Sequence, residues 1–140
     1  MKKREFITSD FETIIENEEH KVIMFAVFDG LNHYSLTYKE CKTDLIERLL
    51  AFLFKEYNNT TVYFHNLGKF DGLFILKYLY QQNIYKFRPI MRDNTIYQIS
   101  VKLGNKKISF KDSYLILPLS LREAALTFNK TYFKADMEFK

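Results

Sequence analysis

The first forty residues alternate between short apolar runs and polar turns. Residues 5–10 (EFITSD) and 21–28 (KVIMFAVF) have the length and the residue types of β-strands, and the polar sequence ENEEH separates them. Residues 33–38 (HYSLTY) follow the turn-forming sequence DGLN. This arrangement predicts a third strand that forms a hairpin with the second.

The apolar period becomes helical after Lys42. The positions that carry this period are Leu45, Leu49, Phe52 and Leu53. They predict a helix over about 43–57 with Thr43 as its N-cap. The sequence TTVYF at 60–64 then has the continuous β-favouring character of a strand that is covered on both faces.

The second half of the chain continues this alternation. The sequence FDGLFILKYLYQQN is too long and too densely apolar for a strand, and it predicts a helix over about 70–82. Residues 96–113 contain two alternating segments around Gly104 and Asn105, which predicts a hairpin. Helical spacing returns over 119–129. The order of elements is that of a mixed α/β fold.

Composition and charge narrow the class of protein. A chain of 140 residues with 47% apolar and 17% aromatic residues predicts one globular domain, 1–140. The net charge of +4 is compatible with a polyanionic partner but does not require one. The one cysteine, Cys41, excludes an internal disulfide and a cysteine-based zinc site. We find no signal peptide and no apolar run of about 18 residues, so we expect a protein that is neither secreted nor in a membrane.

Asp10 and Glu12 are the first candidates for chemistry. They lie two residues apart at the end of the first predicted strand, so a strand that continued through them would project both side chains from one face. Two neighbouring carboxylates stay ionised most easily beside a cation, and such pairs suit Mg²⁺ or Mn²⁺. The same acid-x-acid spacing recurs at 16–18 and at 136–138, as chance alone predicts. Only Asp10 and Glu12 follow an apolar strand.

In the sequence TVYFHNLGKFDG, several polar residues lie close together in the turn after the predicted buried strand. Asp71 falls in the first turn of the next predicted helix, where a carboxylate also has the ordinary role of favouring the positive helix end. That role leaves His65, Asn66 and Phe70 unexplained. An amide, an aromatic face and a carboxylate together form a workable site for a nucleic acid and a metal ion.

Both polar segments resemble motifs of one enzyme family. YFHNLGKFDG resembles the Exo II motif of the proofreading domain of family B DNA polymerases, in which Asn, two or three further residues, Phe or Tyr, and Asp follow one another. SDFET resembles the Exo I motif, Asp-x-Glu, about 60 residues earlier. The His before Asn66 and the KFDG after it are similar to the protein-primed branch of phages and organellar linear plasmids.

Two later segments extend the resemblance. KDSYLILP at 111–118 resembles the Ser/Thr-Leu-x-x-hydrophobic motif of this branch through Ser113 and Leu117, but Tyr114 stands where leucine is usual. KADM at 134–137 resembles the Lys-x-x-hydrophobic motif, which supplies a catalytic lysine.

The resemblance implies a ribonuclease H-like exonuclease fold with a central mixed sheet flanked by helices, lacking the final helix that carries the Exo III motif. It also implies two Mg²⁺ or Mn²⁺ ions, one to activate water and one to stabilise the leaving 3′ oxygen. The implied catalytic residues are Asp10, Glu12, Asp71 and Lys134, of which all but the lysine bind metal. The residues implied to hold a single-stranded DNA 3′ end are Thr13, His65, Asn66, Phe70 and Ser113.

The implied setting is DNA replication. The partners would be the 3′ end of single-stranded DNA, the rest of a polymerase chain and a terminal-protein primer. The location would be a mitochondrion, for an organelle- or plasmid-encoded protein, or the host cytoplasm for a viral one. Each site residue can also be interpreted as having an ordinary structural role, such as that of a turn hydroxyl, a core aromatic or a solvated lysine. His20 and His33 match no motif and are predicted to be surface or hairpin residues.

Whether this chain is an enzyme by itself stays open. The Exo III motif, Tyr-x-x-x-Asp, does not follow Lys134, the match from Tyr132 to Asp136 overlaps the lysine motif, and no polymerase motif is present. We therefore expect an exonuclease domain that depends on a continuation of the chain. The alternative is an inactive remnant that folds and binds single-stranded DNA. A weaker third reading is a separate ribonuclease H-like nuclease that takes its last carboxylate from Asp136 or Glu138.

Overall fold

The computed structural model describes residues 6–41, 44–65 and 67–113. Within these ranges the chain forms a mixed sheet of seven strands with helices between them. In chain order the elements are β1 Phe6–Glu16, β2 Glu19–Phe28, β3 His33–Thr37, α1 Tyr38–Cys41, α2 Leu45–Glu56, β4 Thr60–Phe64, the π-helical turn Leu67–Asp71, α3 Gly72–Gln81, β5 Lys86–Arg92, β6 Thr95–Leu103 and β7 Lys106–Asp112. None of the helices in these ranges is long and apolar enough to cross a membrane. The helix predicted over 119–129 lies outside them.

The strands of the sheet follow the order β3-β2-β1-β4-β7-β6-β5. At the centre, β1, β4 and β7 run parallel to one another. The strands on either side pair in antiparallel fashion, including the predicted hairpins β2–β3 and β6–β7. Because parallel neighbours need crossover connections, the helices lie between the central strands in sequence. The mixed α/β prediction is confirmed.

The first strand is longer than its apolar run. β1 continues to Glu16, and Asn17 and Glu18, with φ values of 51° and 66°, turn the chain directly into β2. The prediction that the strand ends near Asp10 was wrong, because the ladder with β2 continues through the polar residues. Asp10 and Glu12 therefore lie within the strand and not at its end.

The first long helix begins with an aspartate cap. The helix predicted over 43–57 spans Leu45–Glu56, and its N-cap is Asp44 and not Thr43. The Oδ1 atom of Asp44 accepts a hydrogen bond from the backbone N–H of Ile46 at 2.9 Å. A carboxylate at this position satisfies a free donor of the first turn and also complements the positive end of the helix.

Both long helices pack on one face of the sheet. The ring of Phe11 in β1 meets Phe64 of β4 and Phe74 of α3 edge to face, with centroids 4.8 Å and 6.3 Å apart. On the same face, Phe52 of α2 stacks on Tyr34 of β3 at 4.2 Å. The opposite side of β1 is exposed along most of the strand. At β1, therefore, one face of the sheet packs against the core and the other face is exposed.

The strand β4 is covered fully on one face only. Thr60, Val62 and Phe64 are buried, whereas Thr61 and Tyr63 are half-buried. The prediction of a strand covered on both faces therefore holds for the helical side and only in part for the other.

Candidate functional site

Polar residues follow the ends of the parallel strands β4 and β7, and β1 carries a polar residue at the same level. Ser9 of β1 pairs with Phe64 of β4, which pairs with Asp112 of β7. The residues that follow these three are Asp10, His65 and Ser113. Because side chains alternate between faces along a strand, these three lie side by side on the face away from the helices.

Asp10, His65 and Ser113 line one open groove. The Nδ1 atom of His65 lies 3.0 Å from the Oγ atom of Ser113, which is hydrogen-bonding distance. The groove has a volume of about 320 Å³, and its apolar walls include Phe28 and Tyr63. The structure thus brings together three site residues that the sequence predicted from three distant segments.

Asp10 and Glu12 share the exposed face of β1, as predicted from their spacing. Partial burial raises the pKa of the Asp10 carboxyl, and the charge of Glu12 adds to this, while the backbone N–H of Phe11 and the nearby His65 oppose it. The charge of Glu12 therefore acts on the Asp10 carboxyl.

The ladder between β1 and β2 is irregular directly after Glu12. Glu12 pairs with Met24 and Thr13 with Val22, which leaves Ile23 as an extra residue in β2. Such bulges commonly re-aim side chains beside functional sites. Thr13 is half-buried at this irregularity and does not line the groove of Asp10.

Asp71 is a buried carboxylate of the site. It is the last residue of the π-helical turn and the N-cap residue of α3, one position before the helix, so the prediction that it lies in the first helical turn is corrected. Its side chain is 6% exposed and makes no capping hydrogen bond. Burial, with the charges of Asp10 and Asp112 in addition, raises the pKa of Asp71 to about 7. The ordinary capping role therefore does not explain this carboxylate.

Asp112 is a site residue that the sequence did not reveal. It is 3% exposed, and its Oδ2 atom accepts a hydrogen bond from the backbone N–H of Gly68 at 2.7 Å. The only sequence signal was its place beside Ser113 at the end of a predicted strand. Its contact with the turn that carries Asp71 spans 44 residues, so no local pattern could indicate it.

Phe70 packs at the edge of the site. Its ring meets Phe74 at 5.5 Å and His20 at 5.0 Å between centroids, both edge to face. His20 is exposed in the β1–β2 hairpin, as predicted, but its contact with Phe70 was not foreseen. Phe70 is half-buried, so the residue keeps part of its surface accessible.

The donor set is chemically suited to a divalent cation that prefers oxygen, because Asp10, Glu12 and Asp71 all offer carboxylates. The buried carboxyl of Asp71 supports this fit, since a cation would relieve its repulsion with Asp10 and Asp112. In the part of the chain that the structure describes, no three His, Cys, Asp or Glu side chains stand close enough to hold an ion together. The carboxylates are neighbours, but they do not form a closed ligand shell.

Several predicted residues cannot be placed in this geometry. Asn66 and Lys134 lie outside the described residues, as do the remaining members of the later motifs, Tyr114, Leu117, Asp136 and Glu138.

Comparison with known proteins gives one family. Residues 53–140 match the family described as DNA polymerase type B, organellar and viral. A probable DNA polymerase of Neurospora intermedia is 29% identical over 115 residues, which cover 76% of this chain and 12% of that protein. A DNA polymerase of Streptococcus phage Cp-1 is 28% identical over 128 residues, which cover 86% of this chain and 22% of that protein. This chain thus spans a small part of the length of its fungal and phage relatives.

The solved structure of Phi29 DNA polymerase complexed with single-stranded DNA has the same fold. It superimposes with a TM-score of 0.74 at 23% identity, over 97% of this chain and 25% of that polymerase. The predicted α/β fold, with its central mixed sheet, is confirmed by this likeness.

Proposed function

The chain belongs to the organellar and viral type B DNA polymerases, and we propose that it is a 3′-5′ exonuclease domain of such a polymerase. In this role residues 1–140 form a single domain that removes nucleotides from the 3′ end of single-stranded DNA during replication. The observation that carries the proposal is the meeting of Asp10, His65 and Ser113 on adjacent parallel strands, with the buried carboxylate of Asp71 coupled to Asp10.

The carboxylates are proposed to hold two divalent cations, Mg²⁺ or Mn²⁺. Asp10, Glu12 and Asp71 are the ligands in this proposal, and Lys134 is assigned to the scissile phosphate. When bound, such cations supply Lewis-acid stabilisation of the phosphate charge and a water that is easier to deprotonate. Burial of Asp71 strengthens its attraction for a cation, because little water screens its charge.

The groove on the open sheet face is proposed to receive the terminal nucleotide. His65 and Ser113 stand 3.0 Å apart on one wall and both carry hydrogen-bonding atoms suitable for a phosphate or sugar oxygen. Phe70 would stack on a base beside them, and Thr13 and Asn66 complete the proposed set of DNA contacts. The remaining partners of this proposal are the rest of a polymerase chain and a terminal-protein primer, in a mitochondrion or in the cytoplasm of a phage host.

One observation favours a second function. No three of the described carboxylates lie close enough to hold an ion together. The charge of a neighbouring carboxylate nevertheless acts on both Asp10 and Asp71. A chain of this geometry could bind single-stranded DNA through Phe70, His65 and its net positive charge without cleaving it.

Cleavage of a 3′-labelled oligonucleotide by the full chain in Mg²⁺ or Mn²⁺ distinguishes the two functions. Asp10→Ala removes a proposed ligand, and Glu16→Gln is the matched control, because Glu16 is an exposed carboxylate on the same strand. We expect Asp10→Ala to lower the rate by about 100-fold or more, as loss of a catalytic electrostatic group commonly does, and Glu16→Gln to leave it unchanged. If all three proteins bind DNA but none shortens it, the nuclease proposal fails and the binding function stands.

A further inference from the structure

Asp112 ties the end of β7 to the turn that carries the proposed metal ligand. Its carboxylate accepts the backbone N–H of Gly68 at 2.7 Å, within an environment that leaves the side chain 3% exposed. Gly68 is the second residue of the π-helical turn, and Asp71 is the last. The anchored backbone and the proposed ligand are therefore three residues apart on one turn.

The turn fits tightly against β6 at the same point. A Cβ atom added to Gly68 would stand 2.7 Å from the carbonyl oxygen of Ile96, 2.7 Å from Cγ2 of Thr95 and 3.0 Å from Oδ2 of Asp112. Contacts this short leave no room for a side chain, so the Gly68 backbone packs directly against β6 and Asp112. A buried, charge-assisted hydrogen bond in such a space fixes the turn in one position.

We propose that Asp112 is a positioning residue, which holds the turn Leu67–Asp71 and so fixes the position of the Asp71 carboxylate relative to Asp10. In this proposal it acts through the Gly68 backbone. The functional importance of this positioning rests on the proposed exonuclease function. The hydrogen bond that anchors the turn does not depend on that function. Partners of this kind behind metal ligands typically contribute about 10-fold to 100-fold in metal affinity.

Two substitutions separate the anchoring bond from simple packing. Asp112→Ala removes the acceptor, and Asp112→Asn keeps an oxygen that can accept the Gly68 N–H. Ser109→Ala is the matched control, because Ser109 is also a buried polar residue of β7. Each variant is studied as the full chain, well below its unfolding temperature, so that lost stability alone does not alter the results.

Three measurements follow the position of the turn. Amide hydrogen exchange reports the Gly68 N–H, the proton chemical shift of the His20 ring reports its contact with Phe70, and titration with Mn²⁺ alone reports the carboxylates. For Asp112→Ala we expect at least 10-fold faster exchange at Gly68, a moved His20 signal and about 10-fold weaker Mn²⁺ binding. Asp112→Asn should retain most of all three, and Ser109→Ala should match the wild type.

The proposal is overturned if Asp112→Ala keeps the Gly68 protection and the His20 shift of the wild type. It is equally overturned if Asp112→Asn loses as much as Asp112→Ala, because the charge and not the hydrogen bond would then matter. If the wild-type chain binds no Mn²⁺, the metal-dependent nuclease proposal fails. In that case the exchange and His20 measurements still decide whether Asp112 positions the turn.

Discussion

His65 and Ser113 are 48 residues apart in sequence, yet Nδ1 of one lies 3.0 Å from Oγ of the other. The parallel pairing of β4 and β7 produces this contact, because it aligns Phe64 with Asp112 and so brings the next residues together. The pair forms one wall of the groove beside Asp10. Its position makes the hydroxyl both a partner of the imidazole and a candidate contact for DNA.

Ser113→Ala should weaken binding of a single-stranded oligonucleotide by about fivefold, because one hydrogen bond of roughly 1 kcal/mol is lost. Fluorescence anisotropy of a labelled oligonucleotide, in a buffer without divalent cations, measures this affinity. Ser100→Ala is the control, since Ser100 lies on β6 outside the groove. Equal affinities for Ser113→Ala and the wild type would remove Ser113 from the DNA-binding set.

Phe70→Leu should weaken the same binding by roughly tenfold, because stacking of a base on an aromatic ring contributes about 1–3 kcal/mol. Leucine keeps much of the packing against Phe74 but offers no aromatic face. Tyr80→Leu is the matched control, because Tyr80 is an aromatic residue of α3 that is 69% exposed. A similar loss in both variants would show that Phe70 has no special role.

Asp71 predicts an unusual pH dependence of stability in the metal-free protein. Its pKa is about 7 in the folded chain against an ordinary value of 3.8, so the folded state holds a proton that the unfolded state releases. The stabilisation is complete below the ordinary pKa and is lost as pH rises through about 7.

Asp71→Asn should abolish this pH dependence, because the amide resembles the protonated acid. Urea unfolding in a chelator should find the variant close to the wild type near about pH 3 and more stable near about pH 8. Adding Mg²⁺ near about pH 8 should stabilise the wild type more than the variant. Parallel stability curves for the two proteins between these pH values would contradict the assignment of a raised pKa to Asp71.

Asp44→Ala should lower the free energy of unfolding by about 1 kcal/mol, since the Ile46 N–H loses its capping oxygen. For a chain of this size the unfolding temperature should fall by roughly 3 °C. Asp44→Ser retains an oxygen acceptor and should recover most of the loss in a thermal unfolding experiment. An equal fall for both variants would mean that the carboxylate acts through its charge alone.

Short sequence patterns predicted the elements whose formation depends on residues near one another in the chain. The hairpin at Gly104 and the two long helices follow from turn residues and apolar spacing, and the structure confirms them within one or two residues. The polar half of β1 was missed because its end lies in a turn with Glu18 at φ 66°, a conformation that glutamate rarely adopts. β5 was missed because Pro89 interrupts its pattern, which an edge strand of the sheet tolerates.

The candidate site was predictable where one motif supplies several residues. Asp10, Glu12 and Asp71 each belong to a recognisable segment with a local reason to stand out. Asp112 does not, because its significance comes from a contact with Gly68 that only the pairing of β4 with β7 creates. Relations of this kind depend on register between distant strands, which short sequence patterns do not encode.

The parallel trio β1, β4 and β7 also determines when the groove can exist. Asp10 and His65 can be neighbours once the first 65 residues have left the ribosome, but Ser113 and Asp112 join them only after β7 has paired with β4. Pairings between strands so far apart in sequence close large loops and therefore form slowly. Completion of the groove thus requires β7, the last strand of the sheet in the chain, because Ser113 follows it directly.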